Sequence, residues 1–342
     1  MKPPLLLPII AFGLGACATD NITAAPVPAA YETDAMTGAG DRADDPAIWI
    51  HPTDAARSLI LATNKDEGVY VYGIDGKEKQ KLPVGLSNNV DLRGNLAVAS
   101  NDGVNALSFF RIDPATQNVT HAGDAKLERI EPYGVCAGMI DGKYRAAVSF
   151  KDGNLDIWTV NDSGAGPVTL GEVRTVKLAT QIEGCVFDDE NKRIFVAEEN
   201  HGLWAIDLAS NSAPVSVDTI AAGHGLVADV EGVSIYAGPS GSGYLVASAQ
   251  EKDRYVVYDR KPPYAVLGVI TVTQSRDGSV DAVTHTDGLD ISSKPLPNFP
   301  KGILVVQDDG NPTKEVSQNF KVVDWRDVEA ALAAANAAVA KP

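Results

Sequence analysis

The chain has 342 residues, 44% hydrophobic and 22% charged, which excludes wholesale disorder and leaves room for a large core. Its net charge of −16 and sequence pI near 4.7 exclude a basic nucleic-acid-binding surface, and no local basic stripe contradicts this. Such acidity serves solubility or the binding of hard cations, which take several carboxylate oxygens.

From Met1 to Cys17 a cationic residue precedes a short apolar run, too short to span a bilayer, so 1–17 reads as a secretion signal. Leu14-Gly15-Ala16-Cys17 is similar to the bacterial lipoprotein cleavage box, with Cys17 as the lipidated residue; cleavage after a small residue is the alternative. Residues 18–31, with Pro26 and Pro28, read as a flexible tether, and 32–342 as the folded domain. Cys136 and Cys185 either pair, as an oxidising compartment allows, or are two separately buried thiols.

Beyond the tether one layout recurs: polar or acidic residues, then a strand. It begins at Asp44-Asp45-Pro46, before the strand-like run Ile48 to His51. It returns at Asn88-Asn89-Val90-Asp91, Tyr133-Gly134-Val135-Cys136, Glu183-Gly184-Cys185-Val186, Asp229-Val230-Glu231-Gly232 and Thr286-Asp287-Gly288-Leu289-Asp290. Adjacent carboxylates repel, so an ordered pair requires a cation or a shared proton. A second strand of each set ends on polar residues, as at Asn64-Lys65, Asn101-Asp102, Phe150-Lys151, Glu198-Glu199, Gln250 and Gln307-Asp308. A third alternates aromatic and aliphatic residues, as in Val69-Tyr-Val-Tyr72 and Leu155-Asp-Ile-Trp158, and Asp75, Asp113 and Asp207 suit the turns that follow. Sets repeating at about 40 to 60 residues predict an all-β, six-bladed β-propeller. Antiparallel pairing then gathers the acidic starts and the Lys, Glu and Gln ends at one mouth of the central channel. Glu32 to Gly40 is expected to donate a ring-closing strand, and the Ala-rich segment 326–342 a terminal helix, docked or frayed.

Other chemistries lack their motifs. Gly238-Pro-Ser-Gly241-Ser-Gly243 has no P-loop lysine and reads as a hairpin turn. The histidines show no zinc spacing, and there is no nucleophile elbow or EF-hand loop. What remains is a set of oxygen donors at matching points of the repeats: Asp44, Asp45, Asn88, Asn89, Asp91, Glu183, Glu198, Glu231, Gln250, Asp287 and Asp290, with Lys65, Lys151 and Tyr133 among them. Without a soft ligand, several Ca²⁺ ions suit them best.

These residues, in this order, resemble the β-propeller phytases, six-bladed calcium-dependent hydrolases of phytate. The resemblance runs from about Glu32 to Trp325. It rests on Ala43-Asp-Asp-Pro-Ala-Ile-Trp49, Thr63-Asn-Lys65, Asn88-Asn-Val-Asp-Leu-Arg93, Glu131-Pro-Tyr-Gly134, Phe150-Lys-Asp-Gly153, Glu183-Gly-Cys-Val-Phe-Asp-Asp189, Asp229-Val-Glu-Gly232, Thr286-Asp-Gly-Leu-Asp290 and Gln318-Asn-Phe-Lys321. It implies that Asp44, Glu183, Glu198, Asp229, Glu231 and Glu32 ligate bridging calcium ions, with Tyr133 beside them. By the same resemblance Asp45 and Asp91 hold a structural calcium, Lys65 and Lys151 contact phosphate, and Asp287, Asp290 and Gln250 match further polar positions. Two departures are Asp102, where the family usually has a phosphate-clamping Arg, and Glu251, where Gly is common. The expected protein is an exported monomer, lipid-anchored or released, that hydrolyses phytate through metal-activated water. Its alternatives are a lactonase-like propeller with one central calcium and a weakly catalytic recognition module.

Overall fold

The computed structural model describes residues 22–311 and 317–339. The aliphatic runs form four-stranded antiparallel blades around a central channel. Blade 1 comprises Ala43–Trp49, Leu59–Asn64, Gly68–Gly73 and Glu78–Leu82. Blade 2 comprises Ser87–Arg93, Leu96–Asn101, Ala106–Ile112 and Val119–Lys126. Blade 3 comprises Pro132–Ile140, Lys143–Phe150, Asn154–Asn161 and Thr169–Lys177, and blade 4 Ile182–Asp188, Arg193–Glu198, Gly202–Asp207 and Val215–Thr219. Blade 5 comprises Val233–Ala237, Gly243–Ala249, Arg254–Asp259 and Val266–Thr273, and blade 6 Leu289–Ser292, Ile303–Asp308 and Asn319–Asp324. The turn reading holds at Asp75, Asp113 and Asp207, whose carboxylates accept the N–H groups of Lys77, Ala115 and Ala209. Gly238 to Ser242 is the predicted hairpin turn.

The hydrophobic core is a ring of wedges between neighbouring blades. Trp49 and Leu61 meet Leu92 and Phe110 across blades 1 and 2, and Phe320 and Val305 meet Ile60 and Tyr72 across blades 6 and 1. Each sheet is apolar on both faces because each has a blade on either side, so middle strands such as Leu59–Asn64 are buried throughout.

The N-terminal stretch corrects the tether reading. Ala25–Pro28 pairs parallel with Val266–Thr273 as a fifth strand of blade 5, and buries Val27. Tyr31–Glu32 then pairs with Asn319–Asp324 as the outermost strand of blade 6. The domain therefore starts before residue 32. A proline sits easily in an edge strand, where its missing N–H faces no partner, so Pro26 and Pro28 did not exclude one. The ring-closing strand exists, at the very start of the expected Glu32 to Gly40 segment. At the other end the helix Trp325–Val339 is docked, with Trp325, Val328 and Leu332 buried beneath blades 5 and 6 and Tyr236 stacked on Trp325 at 4.2 Å between ring centroids. No helix among the described residues is long and apolar enough to cross a membrane. The expected signal 1–17, with Cys17, lies outside the described residues.

Candidate active site at the channel mouth

A local irregularity near the start of the inner strands builds the mouth. The register with the second strand shifts between Ala43 and Pro46, Ser87 and Val90, Pro132 and Val135, and Ile182 and Cys185. Such bulges re-aim side chains. The residue just after each shift begins is Asp44, Asn88, Tyr133 or Glu183; Glu231 and Asp287 hold the same place ahead of Val233 and Leu289. On four blades a hydroxyl from the second strand supports this place. Thr63, Ser100, Ser149 and Ser248 accept the N–H of Asp45, Asn89, Gly134 and Gly232 at 2.7–3.1 Å. Ser100 also donates to the carbonyl of Tyr133, and Ser248 to that of Asp287 at 2.9 Å, so these two hydroxyls tie their own blades to the mouth residue of the next one. Close approach explains the following glycines: a Cβ at Gly134 would lie 1.9 Å from the Glu183 carbonyl oxygen, and one at Gly184 1.8 Å from that of Glu231. These hydroxyls were missed in the sequence; their signal was the Ala-Thr-Asn, Ala-Ser-Asn and Val-Ser endings of the second strands.

Two carboxylate groups result. Asp44, Glu183 and Asp287 bring one oxygen each within 4.8 Å of one another, and so do Glu183, Glu199 and Glu231. Glu183 belongs to both. All are buried, and both oxygens of Asp44 and Oε2 of Glu231 lack a hydrogen-bond partner. Burial, against the attraction of Lys65 and with added repulsion from Glu183 and Asp41, pushes Asp44 up to about 7. Burial likewise pushes Glu231 up to about 8, with Asp287, Glu199 and Asp229 adding to it. Glu183 and Asp287 are raised for the same reason. Orphaned anionic oxygens at this density are the donor set of a hard divalent cation, and the residues fit one.

Lys65 projects into this group, with Nζ 3.0 Å from Asp41, 3.3 Å from Asp287 and 3.8 Å from Asp44. Burial opposes its charge, but these carboxylates outweigh it and hold the lysine protonated. Lys151 is exposed, 4.7 Å above the Tyr133 ring, with no carboxylate in ion-pair range among the described residues. Burial, then Glu183 and Asp44, raise the Tyr133 phenol, which keeps its proton. Asp229 and Gln250 stand at the rim, the Gln250 N–H donating to the Asp229 carbonyl at 3.1 Å.

Several expected residues stand elsewhere. Glu198 is the clearest correction: its Oε1 accepts Thr180 N and Oγ1 at 2.7 and 2.8 Å and its Oε2 accepts Trp204 Nε1 at 2.8 Å, so it braces blade 4. Its neighbour Glu199, one residue beyond the strand end, turns into the mouth instead. Glu32 is held by Lys321 in the outer half of blade 6, outside both carboxylate groups. Asp45, Asp91 and Asp290 lie deeper, lining a cavity of about 400 Å³ with Arg93. There they accept Val90 N at 3.2 Å, Ala137 N at 2.8 Å and Ile48 N at 2.8 Å, each from the next blade. Asp102 is half-buried beside the mouth, and Asn88 Nδ2 donates to it at 3.2 Å. Burial raises its carboxyl, against the Asn88 hydrogen bond and the Lys151 charge. Cys136 and Cys185, left open by the sequence, are bonded to each other.

A six-bladed propeller with clustered carboxylates that could hold a metal and lysines at its mouth suits a metal-dependent enzyme for anionic substrates. The Phytase family model matches residues 4–339. A 3-phytase of Bacillus subtilis (strain 168) is 34% identical over 324 residues, covering 88% of this chain and 84% of the relative. The chain belongs to the phytase family, and it is a phosphomonoesterase acting on a phosphorylated small molecule, phytate. The lactonase and recognition-module alternatives give way to this family.

Proposed function

We propose that the phytate-hydrolysing activity depends on calcium ions held by Asp44, Glu183, Glu199, Glu231 and Asp287, with Asp229 and Gln250 beside them. The observation that carries this is the Asp44 carboxylate, fully buried with neither oxygen hydrogen-bonded, next to a glutamate shared by two donor groups. Bound calcium supplies the positive charge that draws a phosphate into an acidic mouth and polarises an attacking water. The chain's own groups bind and orient the substrate. Lys151, with no carboxylate in ion-pair range among the described residues, offers its charge to a phosphate oxygen, and the Tyr133 hydroxyl, kept protonated, offers a hydrogen bond. Lys65, anchored by Asp41, Asp44 and Asp287, presents a fixed positive charge where its carboxylates leave room. Asp102 brings negative charge to the blade-2 side of the mouth, so phosphate binding there is weaker than a basic residue would give.

The test is phosphate release from phytate by chelator-treated protein, titrated with calcium while the melting temperature is followed. Activity and Tm should rise together, because a ligand that binds only the folded state stabilises it. Full activity after chelation, with an unchanged Tm, would refute the proposal. Asp102→Arg should lower KM for phytate; an unchanged KM would mean that Asp102 does not meet the substrate. We further propose export through the 1–17 leader, lipid attachment at Cys17 and a monomeric state. Loss of fatty-acid labelling in Cys17→Ser, and a single-chain mass by light scattering, are the expected results.

A further inference from the structure

At four of the six blade seams the inner strands are joined from one register position, where blades 1 and 4 have Ala47 and Val186 and no side-chain oxygen. Asp91, Cys136, Ser234 and Asp290 occupy it, opposite Val98, Ala147, Val246 and Val305 of their second strands. From this position a side-chain oxygen reaches the next blade: Asp91 accepts Ala137 N at 2.8 Å, Ser234 accepts Ile291 N at 3.1 Å, and Asp290 accepts Ile48 N at 2.8 Å. In each case the donor lies one residue past the equivalent position of the next blade. At the seam between blades 3 and 4 the position holds Cys136, which reaches across as the disulfide to Cys185. The equivalent donor there is the N–H of Phe187, one residue past Val186.

This seam lies between two of the groups assigned to phosphate and two of those assigned to the cation. Tyr133 and Lys151 stand on blade 3, Glu183 and Glu199 on blade 4, and the two blades are separate sheets with no shared ladder. The Ser149 hydroxyl reaches the Glu183 carbonyl only at 3.4 Å, longer than the 2.9 Å contact of Ser248 at its own seam. Cys136 is three residues from Tyr133, and Cys185 two from Glu183. We propose that the Cys136–Cys185 disulfide is a positioning pair for hydrolysis: it replaces the polar contact used at three other seams and fixes Tyr133 and Lys151 against Glu183 and Glu199. The inference rests on the site reading above.

The experiment compares wild type, Cys136→Ala/Cys185→Ala and Cys136→Ser/Cys185→Ala at saturating calcium, with kcat/KM for phytate and Tm as readouts. Misplacement of about 1 Å can cost about 100-fold in rate, so the double-alanine variant should lose about tenfold or more in kcat/KM. In the serine variant the hydroxyl can accept the Phe187 N–H as Ser234 accepts that of Ile291. It should recover most of kcat/KM while melting as low as the double-alanine variant, since both lack the crosslink. Non-reducing peptide mapping of wild type should show the 136–185 bond. Equal losses of kcat/KM in the two variants, full activity in the double alanine, or an unbonded pair would overturn the proposal. If the double alanine does not fold, the serine variant decides alone: near-wild-type kcat/KM at a lowered Tm supports it, and a tenfold loss overturns it. Failure of the site reading shows separately, as wild-type kinetics in Lys151→Ala and Glu183→Gln measured alongside.

Discussion

In the outer half of blade 6, Lys321 is wholly buried, its Nζ 2.6 Å from Glu32, 2.7 Å from Asp281, 2.9 Å from Asp308 and 3.0 Å from Asn311 Oδ1. At the channel mouth Asp44, Glu183, Glu199, Glu231 and Asp287 are just as buried, but the cation among them, Lys65, approaches only Asp44 and Asp287 and shares its charge with Asp41. Both are acid clusters taken out of water. One has a lysine in direct contact with each of its three acids, which offsets part of their charge and clamps the ring-closing strand to the last blade. The other is left short of positive charge, a deficit that a bound cation would make good before an anionic phosphoester could approach. Burying acids without partners is costly, so folding tolerates it only where a ligand repays the cost.

The largest effect that tests this contrast is in the shared glutamate. Glu183→Gln should lower phosphate release from phytate about 10²–10³-fold, as losing a positioned electrostatic group commonly does, and shift the calcium titration upward with the circular dichroism unchanged. Wild-type kinetics would remove Glu183 from the site. Next, Lys321→Met should destabilise by about 3–5 kcal/mol in calcium and in chelator alike, because it leaves buried carboxylates unpaired. Denaturant melts measure it; a calcium-rescued variant would show that the two clusters behave alike.

Asp44→Asn should change sign with the metal. In chelator it removes repulsion and raises Tm by a few degrees, whereas in calcium it removes a ligand and lowers Tm. A Tm that moves the same way in both conditions contradicts the assignment. The smallest effect is on pH. Asp44 and Glu231 are raised in the folded protein from 3.8 and 4.5 to about 7 and about 8. The folded state therefore holds protons that the unfolded chain has already released, so metal-free stability falls as pH rises from about 4 to about 8. Calcium should flatten that slope, and a calcium-free Tm that rises over this range would contradict the burial-raised carboxyls.

Glu198 and Glu199 show how far the sequence reaches into the site. The repeat located the strand end at the mouth, but adjacent residues of an extended chain point to opposite sides, and only the packed blade shows that Glu198 meets Thr180 and Trp204 while Glu199 turns inward. Glu32 was read as a metal ligand for want of its partner, since Lys321 lies 289 residues away.

The sequence by itself determined the six repeats, the channel mouth and most of its acids, because strand alternation, turn residues and polar strand starts are written within a few residues of one another. Asp44, Glu183, Glu231 and Asp287 were found in that way. Only the folded chain decided which acids come together at the mouth, that residues 25–32 close the ring, that Cys136 bonds to Cys185, and that Lys321 pairs with Glu32. Each of these joins groups far apart in sequence, and their encounter is set by ring closure and by the bulges that aim the inner strands. Local propensity carries no record of either.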